Sequence, residues 1–288
     1  MTAKALKVAY QGEPGANSHH ACVEVYPDAE HIACATFEDA FAAVTARETD
    51  LAMIPIDNSV AGRVADIHHL LPESNLYIIG EHFLRIHHQL LANEGVSLDT
   101  IKSVHSHVHA IGQCRNLIRE LGLKAEIAAD TAGAAKYLAD HPNPEEAVIA
   151  TAMAGELYGL KTLRANVEDA DHNTTRFIIL APDPDDAEPE ESPVITSFVF
   201  RVRNIPAALY KAMGGFATNS VNMTKLESYQ LDGEFFATQF YADVEGHPED
   251  KGLAHALEEL AFFSSELKVL GVYKAHEFRT NLKIKNGR

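Results

Sequence analysis

The 288-residue chain has few cysteines, few basic side chains and no apolar run long enough to span a membrane. Cys22, Cys34 and Cys114 are odd in number and fall in no metal-ligand spacing. They fit reduced thiols better than a disulfide framework or a redox pair. With 24 Lys and Arg against 41 Asp and Glu, the formal charge is −17. Such a surface repels nucleic-acid phosphates and anionic membranes, so neither is expected as a partner. An anionic substrate would have to be held by local donors, such as arginines and helix N-termini, because the overall field does not attract it. The opening residues run directly into a strand-like segment and lack the apolar core of a signal peptide, so a cytoplasmic location is expected. Sixteen histidines invite a metal reading, sharpest at His105, His107 and His109. No second cluster with zinc-like spacing accompanies them, and no metal is expected.

What is present is ordinary for a globular protein: 46% hydrophobic and 23% charged residues, in a chain whose length suits two domains. From Leu6 to Ile56 short apolar runs alternate with amphipathic stretches, as βα units do. Thr36-x-x-Asp39 predicts a capped helix burying Phe37, Ala40, Phe41 and Val44. Leu51 to Ile56 reads as a buried strand ending in Asp57-Asn58-Ser59, and Gly62 to Leu71 as helical. Ligands of open α/β sheets bind beyond the carboxyl ends of strands, so Asn58 and Ser59 are either site residues or a turn and N-cap. The alternation then repeats, with a strand at Ser103 to His105, a helix from about His107 to Leu121 and a helix capped by Thr131. Ser106 as N-cap and Gln113 seven residues on would share a helix face and could reach one ligand. A cap plus an exposed glutamine is the simpler reading.

Asn173-Thr174-Thr175-Arg176-Phe177 places an amide, two hydroxyls and a guanidinium at the start of the apolar strand Phe177 to Leu180. Strand alternation sends Asn173, Thr175 and Phe177 to one face and Thr174 and Arg176 to the other. Taken alone, the stretch also suits an edge strand with a solvated arginine. Residues 181–193 carry six acids, four prolines and no base, a self-repelling extended linker. Beyond it the predicted order is βαββαβ: a strand over Val194 to Arg203, a helix opened by Asn204-Ile205-Pro206, strands around a turn at Asp232-Gly233 (the second from Glu234), a helix from Glu249 and a last strand from Leu267. This is the order of a ferredoxin-like split βαβ fold, whose sheet edges favour pairing with a second copy.

In register, these motifs resemble the prephenate dehydratase family. Tyr10-Gln11-Gly12-Glu13-Pro14-Gly15 is similar to its opening glycine turn, and Ile54-Pro55-Ile56-Asp57-Asn58-Ser59 with Gly62-Arg63-Val64 to its Pro-Ile-Glu-Asn-Ser segment. Ser106-His107 with Ala110 and Gln113-Cys114 resembles its Ser-His-x-x-Ala-x-x-Gln-Cys helix. Thr131-Ala132, Ala134-Ala135 and Glu156 to Leu160 follow in order, and Thr175-Arg176-Phe177 is its intact signature.

The resemblance implies an α/β fold: a two-lobed, periplasmic-binding-protein-like catalytic domain over 1–180, followed by the linker at 181–193, a ferredoxin-like βαββαβ ACT regulatory domain over 194–279 and a tail at 280–288. Lobe one would take about 1–84 with 170–180, and lobe two about 85–169. The reaction implied is conversion of prephenate to phenylpyruvate in phenylalanine biosynthesis. Aromatisation drives that step, so no cofactor is expected. By the resemblance, Thr175 acts on the departing hydroxyl, Arg176 is a carboxylate partner or a strut, and Asn58, Ser106 and Gln113 orient the substrate, with Ser59, Asn173 and Phe177 beside them. Phenylalanine would bind between paired ACT domains near Ala207, Ala208, Leu209, Asn222, Glu227 and Ser228. There the chain departs from the family pattern: Ala207-Ala208-Leu209 replaces Gly-Ala-Leu, and Glu227-Ser228-Tyr229-Gln230 replaces Glu-Ser-Arg-Pro. A homodimer is expected, with a tetramer open. The rival substrate is arogenate, and the rival class is a non-catalytic amino-acid sensor.

Overall fold

A computed structural model describes residues 5–191, 193–203, 205–230 and 237–285. Two compact units emerge, Met1–Val64 with Phe83–Phe177, and Ala65–His82 with Ile178–Arg288. The first stretch of chain runs β1 (Lys7–Gln11), α1 (Asn17–Val25), β2 (Glu30–Cys34), α2 (Phe37–Thr45), β3 (Leu51–Asn58), β4 (Gly62–Arg63), α3 (Ala65–Glu73) and β5 (Tyr77–Arg85). Next come β6 (Gln89–Ala92), β7 (Ser103–Ser106), α4 (Val108–Gln113), α5 (Arg115–Glu120), β8 (Lys124–Ile127), α6 (Thr131–Asp140), β9 (Glu146–Ala150), α7 (Ala152–Tyr158), β10 (Lys161–Arg164) and β11 (Thr174–Ala181). The last stretch is β12 (Val194–Val202), α8 (Ala208–Thr218), β13 (Met223–Gln230), β14 (Ala237–Glu245), α9 (Lys251–Phe263), β15 (Ser264–Lys274) and α10 (Glu277–Lys285).

The strand orders are β2-β1-β3-β11-β5, with β4 beside β3, then β10-β6-β9-β7-β8, and β13-β14-β12-β15. Strand β1 pairs in parallel with β2 and β3, whereas β6 pairs antiparallel with β9 and β10. Strand β11 lies between β3 and β5 and is buried along its whole length. It is therefore an interior strand, and Arg176 is not a solvated edge residue. The predicted capping box at α2 is present, with Thr36 accepting from the Asp39 amide and Asp39 from the Thr36 amide.

Several local expectations are corrected. The helix expected over His107 to Leu121 is broken at Cys114 into α4 and α5. Asp169 explains the break: its carboxylate accepts from the amides of Arg115 (2.9 Å) and Asn116 (3.0 Å), while its own N–H donates to the Gln113 carbonyl at 2.6 Å. The chain returning from β10 thus starts a new helix just after Gln113. Ser106 is the last residue of β7, and the cap of α4 is His107, whose ring accepts from the His109 amide. Asp130, not Thr131, caps α6 through the Gly133 amide. Gly62 and Arg63 fold back on β3 before α3 begins at Ala65.

In the second unit the βαββαβ order holds from β12 to β15, all four strands pairing antiparallel. Phe198, Phe200, Phe216, Phe240, Leu253 and Leu260 form its core. The expected turn at Asp232-Gly233, the strand start at Glu234 and the helix-opening Asn204 lie outside the described residues. Helix α10 crosses the position where the tail was expected to begin. Arg279 on it holds the buried Glu81 carboxylate at 2.6 and 2.9 Å, and the His276 amide adds a third donor to that carboxylate.

Candidate active site

Strand β3 ends at Asn58 beside the start of β11, and the side chains between them form a relay of amides. Asn58 Oδ1 accepts from the backbone amides of Val60 (3.0 Å) and Ala61 (2.7 Å). A backbone N–H can only donate, so this fixes which end of the Asn58 amide is oxygen. Asn58 Nδ2 then donates to Asn173 Oδ1 at 2.8 Å and to Thr175 Oγ at 2.9 Å. Asn173 Nδ2 is left to donate to Gln113 Oε1 at 2.9 Å. Two backbone amides therefore set the direction of hydrogen bonds across four side chains. Because Thr175 Oγ receives a donor, its own proton is turned away from Asn58, and it donates to no described residue. Thr175 is 9% exposed, so the hydroxyl is oriented and almost dry. The half-buried Gln113 amide is oriented as well: its oxygen is occupied and its Nε2 protons meet no acceptor among the described residues.

Gln113 Oε1 also lies 2.9 Å from His88 Nε2. Burial holds the His88 ring below the usual histidine range, against smaller opposing effects from Gln113 and the Glu168 charge. The His88 amide donates to Glu168 Oε2 at 2.9 Å, and Glu168 Oε1 meets His87 Nδ1 at 2.7 Å. Burial alone would raise the Glu168 carboxyl, but amide hydrogen bonds from His88 and from Glu168 itself, together with His87, bring it below the usual range.

The sequence-predicted residues divide into two groups. Asn58, Gln113, Asn173 and Thr175 are brought together as described. Ser59 serves the backbone: its hydroxyl donates to His172 O at 2.7 Å and accepts from the Thr174 amide at 2.9 Å, locking the loop to β11. Ser106 is fully buried, and its hydroxyl donates to Ile149 O at 2.6 Å, tying β7 to the neighbouring strand. Phe177 is 1% exposed and belongs to the core. Both side chains are enclosed by protein. Arg176 points to the face opposite Thr175, is 5% exposed and pairs with Asp57 at 3.8 Å, so it reads as a strut. Gly15, in the opening glycine turn, has φ +89°, and a Cβ there would come within 2.8 Å of Ala154 Cα.

The residues expected to hold an effector lie in the second unit. Ala207 caps α8 in the left-handed region at φ 61°, at the place where a glycine was expected. Asn222 donates to Glu245 at 3.0 Å and Glu227 pairs with Lys225 at 3.1 Å, while Ser228 is exposed. Tyr229, standing for the family's arginine, is 4% exposed and accepts from Gln239 at 2.7 Å.

Sequence reasoning missed His88, Glu168 and Asp169 as parts of the site. His87-His88 was visible only as one of several histidine pairs, and nothing local in the sequence marks the two acids.

This arrangement defines an α/β protein with hydrogen-bond donors held in a preorganised, partly buried network, suited to protonating or polarising an oxygen. The prephenate dehydratase family model matches residues 8–185, and the chain belongs to that family, as a carbon–oxygen lyase of the hydro-lyase type. A bifunctional N-acyl-homoserine lactone acylase/prephenate dehydratase of Komagataeibacter europaeus is 50% identical over 272 residues, 94% of this chain and 97% of that protein. Arogenate dehydratase 2 of Petunia hybrida is 39% identical over 93% of this chain and 71% of its own. The structure of an Arthrobacter aurescens prephenate dehydratase in complex with L-Phe superposes with a TM-score of 0.88 at 27% identity, over 98% of this chain and 99% of that one. Among the described residues no helix is long and apolar enough to cross a membrane.

Proposed function

We propose that the chain converts prephenate to phenylpyruvate, carbon dioxide and water, at a cleft between the two lobes of a periplasmic-binding-protein-like domain. The bond from the ring to its carboxylate breaks, and its electron pair enters the ring as aromaticity. The bond to the 4-hydroxyl breaks with that oxygen keeping its pair and gaining a proton. A group that donates to the leaving oxygen is therefore what the protein must supply. The observation that carries the reading is the Thr175 hydroxyl, which accepts from Asn58 Nδ2 at 2.9 Å and so keeps its proton turned away from Asn58 and free to donate. A threonine hydroxyl is a poor acid in water, so it acts by a strong preorganised hydrogen bond in a dry site. The Gln113 amide adds a second donor for a substrate oxygen, and leaving the ring carboxylate poorly stabilised favours its loss.

Arogenate carries an amino acid where prephenate carries a keto acid. The plant relatives' names make it the second substrate to test. The name of the Komagataeibacter relative raises acyl transfer as well. In this chain Ser103 Oγ (3.5 Å) and Glu146 Oε2 (3.6 Å) both approach the same nitrogen of His105, whereas a base relay needs opposite ring nitrogens. That histidine is not arranged as a base relay, and the family model over residues 8–185 favours the dehydratase reading.

The βαββαβ unit is read as an ACT domain that binds phenylalanine in a homodimer or homotetramer, a reading supported by the L-Phe complex of the Arthrobacter protein. The test is phenylpyruvate formation by purified protein from prephenate and from arogenate, each with and without phenylalanine. Turnover of prephenate at the higher kcat/KM is expected, with inhibition by phenylalanine. Turnover of neither substrate would refute the reading. Equilibrium dialysis showing no phenylalanine bound at millimolar concentration would remove the effector role.

A further inference from the structure

We infer that His88 is a positioning residue for the reaction, fixing the amide of Gln113 so that its two N–H protons face the substrate. This rests on the dehydratase reading of the same site. A terminal amide has two orientations related by a half turn, and only one offers donors outward. Asn173 Nδ2 and His88 Nε2 both converge on Gln113 Oε1 at 2.9 Å. Because the relay that begins at the Val60 and Ala61 amides makes Oε1 an acceptor, His88 must donate from Nε2. The ring is then the neutral tautomer protonated at Nε2, and its Nδ1 is a buried atom without a hydrogen-bond partner.

That unpartnered nitrogen tells the direction of the device. An imidazolium would have a second buried N–H to satisfy there, and His88 is 3% exposed, so the neutral form is held. The ring itself is placed from both sides of its backbone, with the amide on Glu168 and the carbonyl accepting from the Val167 amide at 2.9 Å. The charged Glu168 therefore acts on the His88 backbone while His88 acts on Gln113, and the substrate meets only the last member.

The test combines a spectrum with two variants. In 15N-labelled protein the His88 ring should show a protonated Nε2 and a bare Nδ1, and it should stay neutral where ordinary histidines titrate. His88→Leu keeps the bulk but loses the donor; kcat should fall about 10- to 100-fold, the scale of an outer partner that orients a functional group, with a smaller change in KM. His88→Gln returns an N–H near the Nε2 position and should recover most of that loss. In a Gln113→Ala background the His88→Leu change should cost almost nothing further. An Nδ1-protonated ring, unchanged kcat in His88→Leu, or a His88→Gln variant as impaired as His88→Leu would each overturn the inference. A wild-type protein inactive on both prephenate and arogenate would sink the dehydratase reading instead, and the ring spectrum would still decide whether His88 holds Gln113 as described.

Discussion

Replacing Asn58 by aspartate changes one NH2 to an oxygen, and the relay predicts that this single exchange inverts every amide after it. In Asn58→Asp the oxygen facing Val60 and Ala61 keeps both backbone donors. The other oxygen now accepts where Nδ2 donated to Asn173 and Thr175. Thr175 can satisfy it only by turning its proton inward, away from the substrate. Asn173 can satisfy it only by turning its NH2 toward residue 58, which presents oxygen to Gln113 and forces that amide to flip as well. Both outward donors are lost. The bonds to Thr175, Asn173 and Gln113 can be remade in reverse, but the one from Asn58 Nδ2 to the Thr174 carbonyl at 3.4 Å cannot, because a carbonyl only accepts. The cost to stability is about 1 to 3 kcal/mol, because a half-buried carboxylate oxygen now faces the Thr174 carbonyl in place of a donor. The cost to turnover is that of at least one positioned donor, about 10²- to 10³-fold in kcat. Phenylpyruvate formation gives kcat, and urea unfolding gives stability on the same preparation. A variant that keeps kcat within about threefold of wild type, a difference of less than 1 kcal/mol in barrier, would refute the directional relay and with it the assignment of Thr175 as donor.

Thr175→Val keeps the shape of the side chain and should lower kcat by about 10²-fold or more, whereas Thr175→Ser should retain most activity; equal loss in both would point to packing instead of the hydroxyl. Ala207→Gly should stabilise the protein by about 1 kcal/mol in urea unfolding, since Ala207 sits at φ 61° where a Cβ is strained. His88, His19 and His107 are each held below the usual value of 6.5, chiefly by burial. Below that pH the unfolded chain binds more protons than the folded one, so stability should fall as pH drops through and below about 6.5. The urea midpoint followed against pH checks this, and His88→Leu should make the slope shallower.

Part of the site was legible because its signals are local. The Asn-x-Thr spacing puts Asn173 and Thr175 on one face of a strand, and Asn58 does bond to both. The burial of Ser106 and Phe177 was not legible, because identity within a motif does not say how deeply a side chain is enclosed. The broken helix after Gln113 was invisible because Asp169, which caps its second half, lies 54 residues away. His88 carried no local sign of its partner 25 residues on.

By itself the sequence determined the alternation of strands and helices, the capping box at Thr36, the acidic Pro-rich segment and the βαββαβ order beyond it. Each rests on periodicity, propensity or charge within a few residues, where the chain's own chemistry decides. Tertiary structure alone decided that β11 is an interior strand, that Arg176 is buried beside Asp57, and that the hydrogen bonds run from the Val60 and Ala61 amides to Gln113. An amide is both donor and acceptor, and its orientation exists only once folding has brought a fixed donor to one end of it.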